Sequence, residues 1–206
     1  GNTTSLPTAN GTASLEWSAN QRLQAQTVGG TRVDYRYDAY GRLVDRRVGG
    51  ASTALFVWEG QHLVAVTNGA GNSTLAEHVY VPGRVGLFAA LYKDGSGTRR
   101  VAAAVQDQTQ SVVGLGRNNT VVATRSYDQW GVPTARTGLV DSLSAEWKGL
   151  YHEGTGLPLY LMGQRWYSPH LGRFLSEDPA GIGGGLNLYA FASNDPVNRY
   201  DPSGLC

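Results

Sequence analysis

The chain has 206 residues, 41% of them hydrophobic, which is enough for one or two domains with a packed core and excludes a disordered tail. Its 17 basic and 16 acidic residues leave a formal charge of +1, so no whole-chain field points to a nucleic acid or an anionic membrane. Glycine supplies 28 residues, about twice the usual 7%, and comes with 11 tyrosines and 5 tryptophans, a mixture of turn and strand formers that predicts an all-β, antiparallel fold.

The N-terminal residues Gly1, Asn2, Thr3 and Thr4 lack the charged and apolar regions of a signal peptide, and no apolar run approaches the ~18 residues of a membrane span. Met162 is the one methionine and the chain starts at Gly1, so a fragment or a processed product is expected. Residues 1–14 read as an N-terminal extension. From Leu15 to residue 146 a repeat organises the chain. Its fullest copy is Tyr35-Arg36-Tyr37-Asp38-Ala39-Tyr40-Gly41-Arg42-Leu43, with weaker copies at Trp17 to Leu23 and Trp58 to Leu63. Leu23, Leu43 and Leu63 are each 20 residues apart, and Trp17, Tyr37, Trp58 and Tyr80 step by 20, 21 and 22. Tyr127-Asp128-Gln129-Trp130-Gly131 restarts the pattern.

Within a copy the period is two. Val33, Tyr35 and Tyr37 share one face of a half-buried strand, and Asp34, Arg36 and Asp38 the other. The Asp-x-x-Gly that follows brings a carboxylate able to accept nearby backbone N–H groups and a residue free to take positive φ, so each copy reads as a β-hairpin. Gly29-Gly30, Gly49-Gly50, Asn68-Gly69, Asp94-Gly95 and Asn118-Asn119 supply the linking turns. A single hairpin cannot bury its aromatic face, so the hairpins must stack into one sheet. Hairpins are expected from Leu15 to Tyr92, a less regular pair across Val101–Tyr127, and Tyr35, Tyr37, Trp58 and Tyr80 as inward or sheet-stacking residues. The Tyr-x-Tyr-Asp-x-x-Gly-Arg-Leu segment resembles the YD repeat of Rhs proteins, wall-associated toxins, insecticidal toxin-complex C components and teneurins.

Composition changes at Trp147, and residues 147–206 are expected to form a loop-rich second unit. The block holds Tyr151-His152-Glu153-Gly154-Thr155-Gly156-Leu157, Gln164-Arg165-Trp166-Tyr167-Ser168-Pro169, Gly172-Arg173-Phe174-Leu175-Ser176-Glu177-Asp178-Pro179, Asn194-Asp195-Pro196 and Asp201-Pro202-Ser203-Gly204-Leu205. Each of its three Asp-Pro pairs sets a carboxylate at a defined bend. The block resembles the Rhs repeat-associated core. The resemblance implies a strand-spiral shell that the core plugs, and an aspartyl-protease-like site that cuts after Leu205, at the Leu205–Cys206 bond, freeing a downstream toxin. Matched by motif, it places the catalytic set on Asp178, Glu153 and Arg173, with Glu153 where the family more often has Asp. The cut is presented by the Asp201, Pro202 and Gly204 turn, in which Asp201 is chiefly structural.

Two carboxylates sharing one proton supply the base that activates water and the acid that protonates the leaving amine. The plainer alternatives are an exposed turn acid for Glu153, a turn cap for Asp178 and a structural ion pair for Arg173. No cofactor and no metal is expected. Cys206 stands alone, and His62, His78, His152 and His170 lack metal-ligand spacing. Gly181 to Gly185 lacks a following Gly-Lys-Ser/Thr and reads as a tight turn. Asn2, Asn10, Asn72 and Asn118 sit in glycosylation sequons that matter only in a secreted eukaryotic protein. The resemblance implies as partners the chain's own downstream toxin region and its upstream repeats, with secretion-system or immunity proteins beyond them, no nucleic acid, and a secreted or cell-surface location. The alternative function is a non-catalytic adhesion or interaction module.

Overall fold

A computed structural model describes the chain except for residues 9–10, 81–85, 94–95, 139–144, 155–156, 202 and 206. The expected Asp94-Gly95 turn, Pro202 and Cys206 therefore lie outside the described residues. The first sheet runs β1 (Ser5–Thr8), β2 (Gly11–Trp17), β3 (Leu23–Val28), β4 (Thr31–Tyr37), β5 (Leu43–Val48), β6 (Ala51–Glu59), β7 (His62–Asn68), β8 (Thr74–Val79), β9 (Ala89–Lys93), β10 (Arg99–Gln106), β11 (Val112–Arg117), β12 (Thr120–Tyr127) and β13 (Pro133–Gly138). Each strand pairs with its neighbours in sequence, all antiparallel where a register is recorded, so the sheet is one uninterrupted meander of hairpins. The fold is all-β, as composition and period implied. β1 and β2 belong to the same sheet, and β2 crosses the boundary expected at residue 14.

Four of the repeat turns are each built by one polar side chain. Asp38 Oδ1 accepts the backbone N–H groups of Tyr40 and Arg42, both at 2.9 Å, while Gly41 takes φ +79°. Asp128 accepts from Trp130 and Val132 in the same way, at 2.8 and 2.9 Å. Asp107 repeats the pattern with Thr109 and Ser111, and there Gln110, at φ +66°, stands where the motif has glycine. Ser18 Oγ accepts Arg22 N–H at 3.0 Å, again with glutamine, Gln21, at positive φ. The acceptor at the turn's first position is thus what these four turns share, whereas the Trp58 copy turns in two residues between the paired Glu59 and His62, with Gly60 at φ +57°. The glycine is exchangeable because an L residue tolerates this conformation at modest cost.

A second regularity explains the 20-residue period. The aromatic that ends one hairpin donates to a backbone carbonyl of the preceding one. Tyr37 Oη donates to Leu23 O at 2.8 Å, Trp58 Nε1 to Leu43 O at 2.6 Å, and Trp17 Nε1 to Thr3 O at 2.7 Å. At the next step His78 takes the part expected of Tyr80, its Nδ1–H donating to Leu63 O at 3.0 Å. Tyr80 is partly buried and stacks on His62 with ring centroids 4.6 Å apart. Burial pushes His78 down to about 4 from 6.5, the carbonyl bond opposing that shift. The unfolded chain then binds a proton that the folded chain refuses. Stability should be full above pH 6.5 and fall as pH drops towards 4, by up to about 3 kcal/mol from this residue. Urea titrations at pH 7 and pH 4.5 should show that loss shrinking in His78→Gln. An unchanged pH difference would remove His78 as its source.

The second unit is loop-rich, as expected, and is organised around a small sheet. β14 (Tyr151–Glu153), β15 (Leu159–Met162), β16 (Arg165–Ser168) and β17 (Arg173–Phe174) form a four-stranded antiparallel sheet. Short 3-10 turns cover Trp147–Gly149, Gly181–Gly184 and Ala192–Asn194, the second within the expected Gly-rich turn. Alternation is lost in β15 and β16, whose residues are all buried, because both faces of this small sheet are covered. Leu159, Leu161, Trp166 and Leu175 pack with Leu15, Leu23, Tyr35, Leu43 and Phe56 of the large sheet. Tyr160, Met162, Tyr167 and Phe174 pack with Trp147 and Phe191. The expected inner-face residues lie here too: Tyr35 is 4% exposed, and Tyr37 and Trp58 are half-buried against the same cluster. Tyr37 Oη accepts from Trp166 Nε1 at 2.8 Å while donating to Leu23, so one hydroxyl joins two hairpins and the small sheet. Tyr37→Phe should cost about 1–3 kcal/mol in denaturant unfolding, because it leaves both partners unsatisfied. Parental stability would mean that water replaces the hydroxyl.

Among the described residues, no helix is long and apolar enough to cross a membrane.

Candidate active site

Arg165 opens β16 and is 1% exposed, with its guanidinium 3.6 Å from the centroid of the Phe174 ring. A charge held there needs partners on every side. Its Nη2 lies 2.9 Å from Asp178 Oδ2 and 3.4 Å from Asp201 Oδ2. Nη1 donates to Leu188 O at 3.1 Å, and Nε donates to Gly204 O at 2.5 Å. Burial draws the guanidinium below its usual pKa, and the charges of Asp178 and Asp201 resist that shift. Both acids are buried.

Local chain geometry delivers the two carboxylates. Asp178 follows β17, and its Oδ1 accepts Ala180 N–H at 2.8 Å, closing the turn that its proline initiates. Asp201 Oδ1 accepts Leu205 N–H and Ser203 Oγ–H, each at 3.1 Å, and Gly204 takes φ +67°. A Cβ on Gly204 would collide with the carbonyl of Met162, so glycine is what lets residues 203–204 lie against the turn between β15 and β16. The Gln164 N–H donates to Ser203 O at 3.1 Å across that contact. The last described residues, Ser203 to Leu205, are therefore held beside an arginine bound to two aspartates.

Of the three residues expected to form the catalytic set, the structure places only Asp178 on Arg165, whose Nη2 also approaches Asp201. Glu153, 1% exposed, receives Arg46 Nε at 2.8 Å and Nη2 at 2.9 Å, a two-pronged pair that ties β14 to β5 of the large sheet. Tyr151 Oη donates to Glu153 Oε2 at 3.2 Å. Arg173 is exposed, with its guanidinium 5.7 Å from the centroid of the Tyr189 ring. Arg165 is the functional residue that no motif match points to, although it lies within Gln164-Arg165-Trp166-Tyr167. Asp178 and Asp201 share an Asp-Pro context, and that likeness is the signal by which they could have been matched.

A second buried ionic cluster fastens the small sheet to the far end of the large one. Glu146 receives Arg125 and, at 2.7 Å, Arg136, with His152 Nδ1 at 3.2 Å. Burial opposes its charge, yet His152 and the two arginines hold Glu146 below the usual carboxylate range. No group of three or more His, Cys, Asp or Glu able to hold a metal ion occurs among the described residues.

No family model matches the chain. Toxin protein Tse5 of Pseudomonas aeruginosa is 51% identical over 59 residues, 28% of this chain and 4% of that protein. The tRNA nuclease WapA of Bacillus subtilis is 31% identical over 209 aligned positions, covering 96% of this chain and 9% of its own length. In fold, the chain is similar to the TcdB2-TccC3 crystal structure, with a TM-score of 0.71 at 23% identity over 94% of this chain and 10% of that one. A Photorhabdus luminescens Tc holotoxin pore gives a TM-score of 0.70 at 22% identity over the whole chain, again 10% of the larger one. The chain thus spans a small share of the proteins that it resembles.

Proposed function

Because the chain belongs to the Rhs/YD-repeat family, we propose that it is a wall segment of a toxin shell that cuts itself after Leu205, using Asp178 and Asp201 as the acid pair and Arg165 to hold them. The large sheet, β1 to β13, serves as the repeat wall and residues 147–206 as the core. The segment beyond the cut is the cargo. Its toxic nature follows from the relatives, which are named as toxins and toxin subunits, and a location outside the producing cell goes with that role.

The observation that carries this reading is the single Arg165 nitrogen between Asp178 and Asp201, with Leu205 N–H bonded to the far oxygen of Asp201. The ionised member of the pair takes a proton from water, whose oxygen bonds to the Leu205 carbonyl carbon. The protonated member gives its proton to the carbonyl oxygen, forming a gem-diol. As the C–N bond breaks, the member that took the proton of water passes it to the Cys206 nitrogen and the other recovers a proton from a gem-diol hydroxyl, which leaves the Leu205 carboxyl group and restores the singly protonated pair. Arg165 Nη2, within 2.9 Å of Asp178 and 3.4 Å of Asp201, sets positive charge beside both carboxylates. Asp201 therefore combines the turn role expected of it with the chemical role first given to Glu153. Glu153 and Arg173 act in structure.

The reaction is intramolecular. The tether keeps the scissile bond at the site at high effective concentration. In a precursor that continues past Cys206 into a folded reporter, the first-order rate of cutting should be unchanged by dilution, and Asp201→Asn should stop it. Cutting that slows on dilution, or that survives Asp201→Asn at the parental rate, would leave a non-catalytic interaction module as the better account.

A further inference from the structure

Arg22 and Arg42 occupy equivalent places in successive repeats. Arg42 Nη1 donates to Gly60 O at 3.1 Å, and Arg22 Nη1 donates to Gly41 O at 3.0 Å, so each arginine ties its own turn to the next. Gly41 makes this approach feasible, since a Cβ there would overlap the Arg22 guanidinium. Arg22 then reaches a second target in the core. Its Nη1 donates to the Gln164 backbone carbonyl and its Nη2 to Gln164 Oε1, both at 2.9 Å. Gln164 immediately precedes Arg165, and its own N–H holds the Ser203 carbonyl at 3.1 Å. One side chain of the repeat sheet therefore clamps the residue from which both the acid-pair arginine and the segment leading to Leu205 are hung.

The clamp does not duplicate tight packing. A cavity of about 250 Å³, with Arg22, Gln164, Arg165 and Ser176 in its wall, lies beside it. The Gln164 turn thus has space to shift on that side, and the two arginine bonds oppose the shift. Small displacements of such a supporting segment are costly, because acid–base catalysis needs its groups within hydrogen-bond reach.

We infer that Arg22 is a positioning residue for the cut: by fixing Gln164 it sets Arg165 and the Ser203 to Leu205 segment in register, so that cleavage waits until the repeat sheet has docked on the core. This inference rests on the self-cleavage reading above. It makes release of the downstream segment conditional on a folded wall.

The test uses the full-length protein carried past Cys206. Arg22→Met should cut on the order of tenfold or more slowly, while its circular dichroism and melting midpoint stay close to the parent's. Arg22→Lys, which keeps the charge and can reach one Gln164 acceptor, should recover part of the rate. Arg42→Met removes the equivalent link between turns without touching Gln164, and should cut within about twofold of the parent. A general loss of stability would slow both methionine variants alike. The pH–rate profile adds a readout that a purely structural role would leave alone. With Arg165 held less firmly, the ionised carboxylate loses stabilisation, and the acid limb should move to higher pH in Arg22→Met.

Parental rate and an unshifted profile in Arg22→Met would overturn the inference. If that variant does not fold, Gln164→Met decides: a slower cut supports the clamp, and parental rate rejects it. Asp178→Asn separates the two layers of argument. If the parent cuts, Asp178→Asn does not and Arg22→Met cuts normally, the positioning role alone is wrong. If the parent itself stays whole, the self-cleavage reading fails and takes the clamp with it.

Discussion

Asp178→Asn should leave the precursor full length, with its rate of self-cleavage reduced on the order of 100- to 10,000-fold. The amide keeps the size of the carboxylate and an oxygen that can still accept Ala180 N–H, so the turn closed by that 2.8 Å bond should survive. Arg165 keeps an anionic partner in Asp201, along with its bonds to the Leu188 and Gly204 carbonyls, which limits the cost of the lost pair to folding. What disappears is one member of a proton-exchanging pair, and neither acid can act both as base and as acid in a single step. A gel of the purified precursor after prolonged incubation checks the outcome. Cutting at the parental rate would exclude Asp178 from the chemistry and with it the carboxylate-pair mechanism.

Glu153→Gln should have a large effect of a different kind. It removes the negative charge that faces Arg46 across the contact between the two sheets, leaving a buried guanidinium with an amide. Breaking one side of a buried pair costs about 3–5 kcal/mol, far more than the pair itself contributes. The variant should unfold at markedly lower denaturant concentration, yet, wherever it remains folded, cut its precursor within a few-fold of the parent. Glu153→Asp, one methylene shorter, should restore part of the stability by keeping the charge. A Glu153→Gln protein that is fully stable and does not cut would return Glu153 to the catalytic set.

The contrast between Asp178 and Glu153 shows which kind of information is local in this chain. Strands and turns were legible because alternation and Asp-x-x-Gly chemistry operate within a few residues, and Asp38 and Asp128 accept the expected backbone N–H groups. The Asp107 turn is not legible from the motif because Gln110 stands where the motif has glycine. Arg46 is hidden for a subtler reason. Strict alternation from the buried Leu43 sends Arg46 outward, but Tyr37 faces Leu43 while Tyr35 faces Arg46, so β5 carries an extra residue. That bulge reverses the parity and turns the arginine inward to meet Glu153. The grouping of Arg165, Asp178 and Asp201 joins positions up to 36 apart in sequence and depends on how three turns fold over a small sheet. No spacing rule reports such a contact, and the motif match alone led to Arg173, which lies exposed by Tyr189.

The most direct test of the self-cleavage account is the intact mass of a precursor that runs on past Cys206, taken after folding in the absence of added protease. The account predicts two products, one ending at Leu205 and one beginning at Cys206, in equal amounts and at all protein concentrations, with neither formed by the Asp178→Asn precursor. A parent that stays whole, or a break at any other bond, would contradict it.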